Sequence, residues 1–177
     1  QRIAMIGSDG FVAGEGAGFI VLTNNKKYAL KKNQGYVKIY SPGLAVEPGC
    51  IGSQEPNLSQ GMTSAIKIAL DTSPNVPVTQ IYTSMNGEAI WYEEYIASTL
   101  RHRHDLGHDI TDKTLSSAYN IGDTGSANGI ISIALSAHKL LDEKCEQRHL
   151  VMTSSDKNQR SAVCLTFEPE INEQDDQ

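Results

Sequence analysis

The sequence predicts an α/β fold, a mixed β-sheet flanked by helices with one helix buried. Three observations carry that expectation. Apolar residues recur at helical spacing over 60–71 (Met62, Ala65, Ile66, Ala69, Leu70) and 89–104 (Ile90, Trp91, Tyr95, Ile96, Thr99, Leu100). Short β-rich or alternating runs at 36–40, 78–85, 149–155 and 161–168 read as strands. The third observation is the stretch 115–141, around which the chain is organised: a strand at 115–120, a glycine turn at 122–126 and a helix at 127–141. That helix carries Ile130, Ile131, Ile133, Ala134, Leu135, Ala137, Leu140 and Leu141, and its polar members up to Ser136 are small (Asn128, Ser132, Ser136). A helix apolar nearly all round is expected to be buried. Its first N–H groups lack intrahelical partners, so 122–128 is a natural place for a site, although a glycine turn also serves plain strand-to-helix packing.

The remaining elements follow in order. Residues 1–10 are a lead-in, and the glycine-rich 10–18 feeds an apolar strand at 19–23. Glycines there suit close backbone approach. The run ends in a strand and lacks a following Gly-Lys-Ser/Thr, so it is not a phosphate loop. Residues 24–35 form a polar, basic connector with one short helical turn. Residues 41–59, with Pro42, Pro48 and Pro56, form a long loop of the kind that is functional or covers a groove. Ser59 is placed to cap the helix 60–71, which Pro74 and Pro77 end. Asn86-Gly87-Glu88 is the turn into the helix 89–104, with Glu88, Glu93 and Glu94 in its first turns and Arg101 and Arg103 in its last, as the helix dipole favours. The strands at 149–155 and 161–168 form a hairpin about the polar turn 156–160, and 169–177 is an acidic, frayed tail.

Composition bounds the function. The 177 residues, 39% hydrophobic and 20% charged, suffice for one domain with its own core. A net charge of −6, with lysines and arginines scattered, argues against nucleic acid or an anionic membrane surface as partner. No apolar run is long enough to span a bilayer. Cys50, Cys145 and Cys164 lack metal spacing and suit a reducing, cytoplasmic setting. His104 and His108 share a helix face, but Arg101 and Arg103 interleave and Gly107 breaks the helix, so a solvated helix end is expected there rather than a metal site. No cofactor is implied. The chain opens on Gln1 rather than Met, which suggests a piece of a longer product.

Two segments carry a resemblance. Asp9-Gly10-Phe11-Val12-Ala13-Gly14-Glu15-Gly16-Ala17-Gly18 is similar, almost residue for residue, to the Asp-Gly-Phe-Val-x-Gly-Glu-Gly-Ala-Gly segment of the β-ketoacyl synthases, thiolase-fold condensing enzymes. Ile121-Gly122-Asp123-Thr124-Gly125-Ser126-Ala127-Asn128-Gly129 lies without a gap over that family's Thr-Gly-His-x-x-Gly-Ala-Ala-Gly turn and buried helix. Residues 81–94 have the position and pattern of its Asn-Ala-His-Gly-Thr segment. The resemblance implies the C-terminal half of a thiolase-like fold: 1–23 closing an N-terminal ketosynthase-like half, 24–168 the C-terminal domain and 169–177 the tail. It places the nucleophilic cysteine in the other half, and none of the three cysteines here falls on it.

The departures are as informative. The family's two histidines fall on Asn86 and Asp123, its lysine on Ala118, and its glycine-rich Gly-Phe-Gly-Gly-Thr-Asn segment on 156–162, which holds no glycine. Asn86 donates but does not titrate, and an ionised Asp123 only accepts. Facing a carboxylate or a developing enolate about 4 Å away at an effective dielectric near 20, Asp123 would be repelled by roughly 4 kcal/mol. That is about three orders of magnitude in rate, before the lost donor is counted. The sequence therefore points to a ketosynthase-like protein without condensing activity, a structural or chain-length-factor-like partner in acyl or polyketide assembly. Two other readings stand beside it: an acyltransferase whose cysteine lies in an absent N-terminal half, and a binding module using an Asn86/Asp123/Glu88 pocket. Asn86 and Asp123 are the catalytic candidates by position, and Glu88 and Asn128 the substrate-binding ones. Local roles compete with these, since Asp123 suits a helix cap and Asn86 a turn. The expected partners are a ketosynthase-type chain or the protein's own N-terminal half, as homo- or heterodimer, and an acyl carrier protein.

Overall fold

The computed structural model describes residues 9–144 and 147–170. Its sheet has six strands: β1 (Gly35–Ile39), β2 (Gly43–Val46), β3 (Val78–Thr83), β4 (Thr114–Ser116), β5 (Arg148–Ser154) and β6 (Gln159–Pro169). The spatial order is β1-β6-β5-β3-β4, with β2 also on β6. β3 runs parallel to β4 and β5, whereas β6 runs antiparallel to β5, β1 and β2, so the sheet is mixed.

Alternation along the strands divides the core in two. Ile81, Leu150, Met152, Ala162 and Cys164 meet Met62, Ala65 and Ile66 of α1 (Gln60–Asp71) and Trp91 and Tyr95 of α2 (Ala89–Arg101). Tyr82, Val151, Leu165 and Phe167 face the other way, onto Leu140 and Leu141 of α5 (Asn128–Glu143). The helices therefore cover both faces.

Several expected elements change. The strand expected at 115–120 stops at Ser116, and α4 (Ala118–Ile121) is a single helical turn. The last β3–β4 pair is Thr83↔Ser116. Beyond it β3 turns away and β4 is the sheet edge, so the backbone satisfies itself locally. The strand expected at 19–23 is not formed: Phe19 is 97% and Val21 96% exposed, and no described strand pairs with them. The loop 41–59 contains β2, which continues the edge begun by β1 after a break at Pro42. The helix expected over 89–104 breaks at His102, and α3 (Arg103–Leu106) is a separate turn. The short turn expected in 24–35 is present at Lys26–Tyr28, and the β5–β6 hairpin is formed. The lead-in up to residue 8, and the tail beyond Glu170, lie outside the described residues.

Capping differs as well. Ser59 sits in the left-handed region at φ 57° and makes no side-chain cap. The buried Glu47 carboxylate does that work from a distance, accepting from Gly61 N at 2.6 Å and Leu58 N at 3.2 Å. A carboxylate at a helix N-terminus meets both the orphan donors and the dipole.

The burial expected for α5 is met on its sheet-facing side and not on the other. Asn128, Ser132, Ser136, Leu140 and Leu141 are its buried residues, while Leu135 and Ala134 are exposed and Ile130 and Ile131 half-buried. The small polar stripe faces inward because the sheet offers it a partner: Ser136 Oγ and Nδ1 of the fully buried His149 are 3.1 Å apart. Burial, and secondarily the Lys139 charge, push the His149 imidazole down to about 4. The unfolded chain then takes up a proton near pH 6.5 that the folded chain refuses until about pH 4, so stability is lost as pH falls through that window. The cost is on the order of 3 kcal/mol. We expect urea midpoints to drop between pH 6.5 and pH 4, and His149→Gln to flatten that slope whatever it does to the midpoint at pH 7.

Candidate functional site

The site forms where two crossovers leave the sheet. After β3, the turn at 84–88 leads into α2; after α4, Gly122 and Asp123 lead into α5 through a turn at Gly125–Ala127. The glycine-rich segment 10–18 ties them together. Asp123 N donates to Val12 O at 2.7 Å, and Gly14 N donates to Asp123 O at 3.0 Å. Glycine is required at this crossing. A Cβ on Gly14 would lie 2.3 Å from Ile121 O, and Gly122 has φ +77° with Ala13 pressed against it. On the other side, Asp9 Oδ1 accepts from Ala89 N at 2.9 Å.

The crossing sets Asn86 and Asp123 in contact. Asn86 Nδ2 donates to Asp123 Oδ2 at 2.8 Å and to Glu88 Oε2 at 3.0 Å. Its Oδ1 accepts from Glu88 N at 3.0 Å, closing the turn. The amide is thus spent: both N–H groups and the carbonyl have partners, and the residue is buried. Asp123 Oδ1 accepts from Gly125 N at 2.8 Å, so each carboxylate oxygen holds one N–H and the side chain also fastens the turn before α5. Glu88 is buried and takes a further donor, Trp91 Nε1 at 3.1 Å. Two carboxylates therefore share one neutral amide.

These groups open onto a pocket of about 830 Å³. Asn86, Asp123, Trp91, Asn128, Arg160 and, from β2, Leu44 and Val46 are among its walls, and Asp156 and Lys157 are exposed at its edge. Of the four site candidates, Asn86, Asp123 and Asn128 line it; Glu88 lies behind Asn86. Asn128 is 2% exposed, and its Nδ2 has no hydrogen-bond partner among the described residues. His104 and His108 do not converge on a metal: His104 is exposed, and His108 Nδ1 faces Arg103 Nη2 at 2.8 Å. Among the described residues no three metal-ligating side chains gather.

Sequence reasoning missed the far wall. Glu94 was expected to serve the dipole of α2. Instead it is buried and gripped by Arg160, whose Nε lies 2.9 and 2.8 Å from its two oxygens. Asn57 Nδ2 and Ser154 Oγ complete the carboxylate's shell. Arg160 Nη1 donates to the carbonyls of Ser155, Lys157 and Gln159, which shapes the hairpin turn, and the guanidinium lies 5.5 Å from the Trp91 ring. The available signal was the buried helical stripe Trp91, Glu94, Tyr95, Ser98, Thr99, which places Glu94 on the inner face.

No protein-family model matches the chain, and no curated protein matches it in sequence. Solved structures do match in shape. The ishigamide ketosynthase/chain length factor superposes with TM-score 0.57 at 16% identity, over 80% of this chain and 37% of its own. An oxazolomycin ketosynthase domain from Streptomyces albus gives 0.54 at 17%, over 76% and 45%. The peroxisomal 3-ketoacyl-CoA thiolase of Saccharomyces cerevisiae, described as built from two core domains of identical topology, gives 0.50 at 18%, over 76% and 35%. The fold is thiolase-like. The chain spans less than half the length of these thiolase-like neighbours.

The buried pair yields a prediction. Arg160→Met strands the Glu94 carboxylate in the interior, which costs about 3–5 kcal/mol. We expect that loss in the urea midpoint, with Trp91 emission altered because the guanidinium no longer lies over the indole.

Proposed function

We propose that this chain is a ketosynthase-like unit without condensing activity that serves acyl or polyketide assembly as a structural, chain-length-factor-like partner of a second thiolase-type domain. The observation that supports this most is the state of Asn86. Where the resemblance puts a histidine that donates to the thioester oxygen, Asn86 has both N–H groups committed to Asp123 and Glu88. Where it puts the second histidine, Asp123 presents a carboxylate. A site that stabilises a growing oxyanion needs donors aimed at it and uncommitted. The acyltransferase reading, with a cysteine supplied by another half, is disfavoured on the same ground, because the acyl-transfer oxyanion would meet the same carboxylate.

The outer face supports the pairing. Leu135 on α5 is 47% exposed, and Val12, Phe19, Val21 and Leu22 are 64%, 97%, 96% and 67% exposed. Gly16 and Gly18 pass so close to Ile131 and Ile130 that the segment and the helix form one surface. Contiguous apolar surface of this kind marks an interface. The partner is the protein's own N-terminal half or a ketosynthase-type chain, with an acyl carrier protein as a further partner of the assembly.

Two measurements test this. We expect malonyl-thioester decarboxylation to stay at the uncatalysed level; robust turnover would overturn the reading. Sedimentation of the 177-residue chain should show self-association at micromolar concentration that Leu135→Lys with Phe19→Asp abolishes. A dilute, monodisperse monomer of the unaltered chain would contradict it.

A further inference from the structure

The turn that carries Asn86 also carries a reactive bond. Asn86 is followed by Gly87, and asparagine is chemically labile. The N–H of the next residue attacks its side-chain amide, and glycine, without a Cβ, leaves that attack unshielded. The fold itself requires glycine there. Gly87 has φ +110°, and a Cβ on it would stand 3.0 Å from Gly10 O of the crossing segment. The chain therefore cannot shield Asn86 by placing a larger residue after it.

The folded site protects the amide instead. Asn86 is 7% exposed and held at three points: Nδ2 on Asp123 Oδ2 and on Glu88 Oε2, and Oδ1 on Glu88 N. Attack by Gly87 N needs the side chain to leave these partners, and it puts negative charge on Oδ1. The hold on three partners opposes the first requirement. Two carboxylates at hydrogen-bond distance oppose the second, and they also repel the hydroxide that deprotonates Gly87 N.

We propose that Asn86-Gly87 is a deamidation site kept closed by Asp123 and Glu88, and that its reaction, once the crossing opens, is a one-way latch against reclosure. Gly87 N loses its proton to hydroxide and bonds to Asn86 Cγ; the Cγ–Nδ2 bond breaks and ammonia leaves, giving a cyclic imide. Water then opens the imide at either carbonyl, leaving an aspartate or an isoaspartate at position 86. Either product replaces an amide donor with a third carboxylate facing Asp123 and Glu88, whose oxygens lose the N–H groups they held. The inference shares these residues with the assembly reading, but its readout is a mass change in a single chain, so its failure leaves that reading standing.

The test is peptide mass mapping of the 177-residue chain held at pH 8, folded in buffer and unfolded in guanidinium chloride, with Asn128-Gly129 in α5 resolved separately. Deamidation at Asn86 should be at least tenfold slower in the folded chain. Asp123→Asn, folded by circular dichroism, should deamidate at Asn86 at least threefold faster than the unaltered chain in the same buffer. Asn86→Asp, which builds the product, should unfold at a lower urea concentration than the unaltered chain at pH 7.5. A folded-to-unfolded difference smaller than tenfold overturns the proposal without recourse to any variant. So does an unchanged rate in folded Asp123→Asn, or an unchanged urea midpoint in Asn86→Asp.

Discussion

The buried pair between Glu94 and Arg160 ties together parts of the chain that sequence keeps far apart. It joins the middle of α2 to the start of β6, and through Asn57 and Ser154 it also holds the proline-rich loop and the end of β5. Neither side chain reaches solvent, so each charge depends wholly on the other and on the hydrogen bonds around them. Arg160 further commits Nη1 to three carbonyls of the hairpin turn. The resemblance would place a glycine-rich segment here. In this chain a charged anchor shapes the turn from within, and the pocket inherits its far wall from that anchor.

Trp91 carries the network across the pocket floor. One side of the indole meets the Arg160 guanidinium, and its N–H donates to Glu88, which shares Asn86 with Asp123. A continuous polar chain thus runs from Asn57 to the start of α5. Such a network holds its members in one arrangement, because releasing any one of them leaves a buried group without its partner. Its effect on chemistry is to use up the donors of Asn86 and of the Trp91 indole. The arrangement is suited to holding a shape.

The two faces of α5 explain each other. Inward, Asn128, Ser132 and Ser136 suit close approach to the sheet and give His149 a partner. Outward, Ile130 and Ile131 meet the segment 9–22 at Gly18 and Gly16, while Leu135 and the segment's own Val12, Phe19, Val21 and Leu22 remain largely exposed. The helix therefore carries apolar residues on both sides, Leu140 and Leu141 against the sheet and Ile130 and Ile131 beside the segment. That is the pattern of a helix lying between two layers of structure.

The elements with strong local periodicity were legible in the sequence: α1, α2, α5, the four longer strands and the hairpin all lie close to where their patterns put them. So were the glycines at 14 and 122, because backbone contact at such a crossing excludes a Cβ. What stood outside the sequence's reach was every feature that depends on a distant partner. The strand pattern at 19–23 lacks a sheet to join, β4 ends where β3 leaves it, and Ser59 yields its cap to Glu47. The Asn86–Asp123–Glu88 cluster was legible as residues by resemblance, yet only the tertiary structure decided that the amide's donors are spent on carboxylates. Local preferences act over a turn or a pair of residues. The ionic and hydrogen-bonded contacts that define this pocket link residues 37 to 66 positions apart, and their energies exist only once the chain has closed around them.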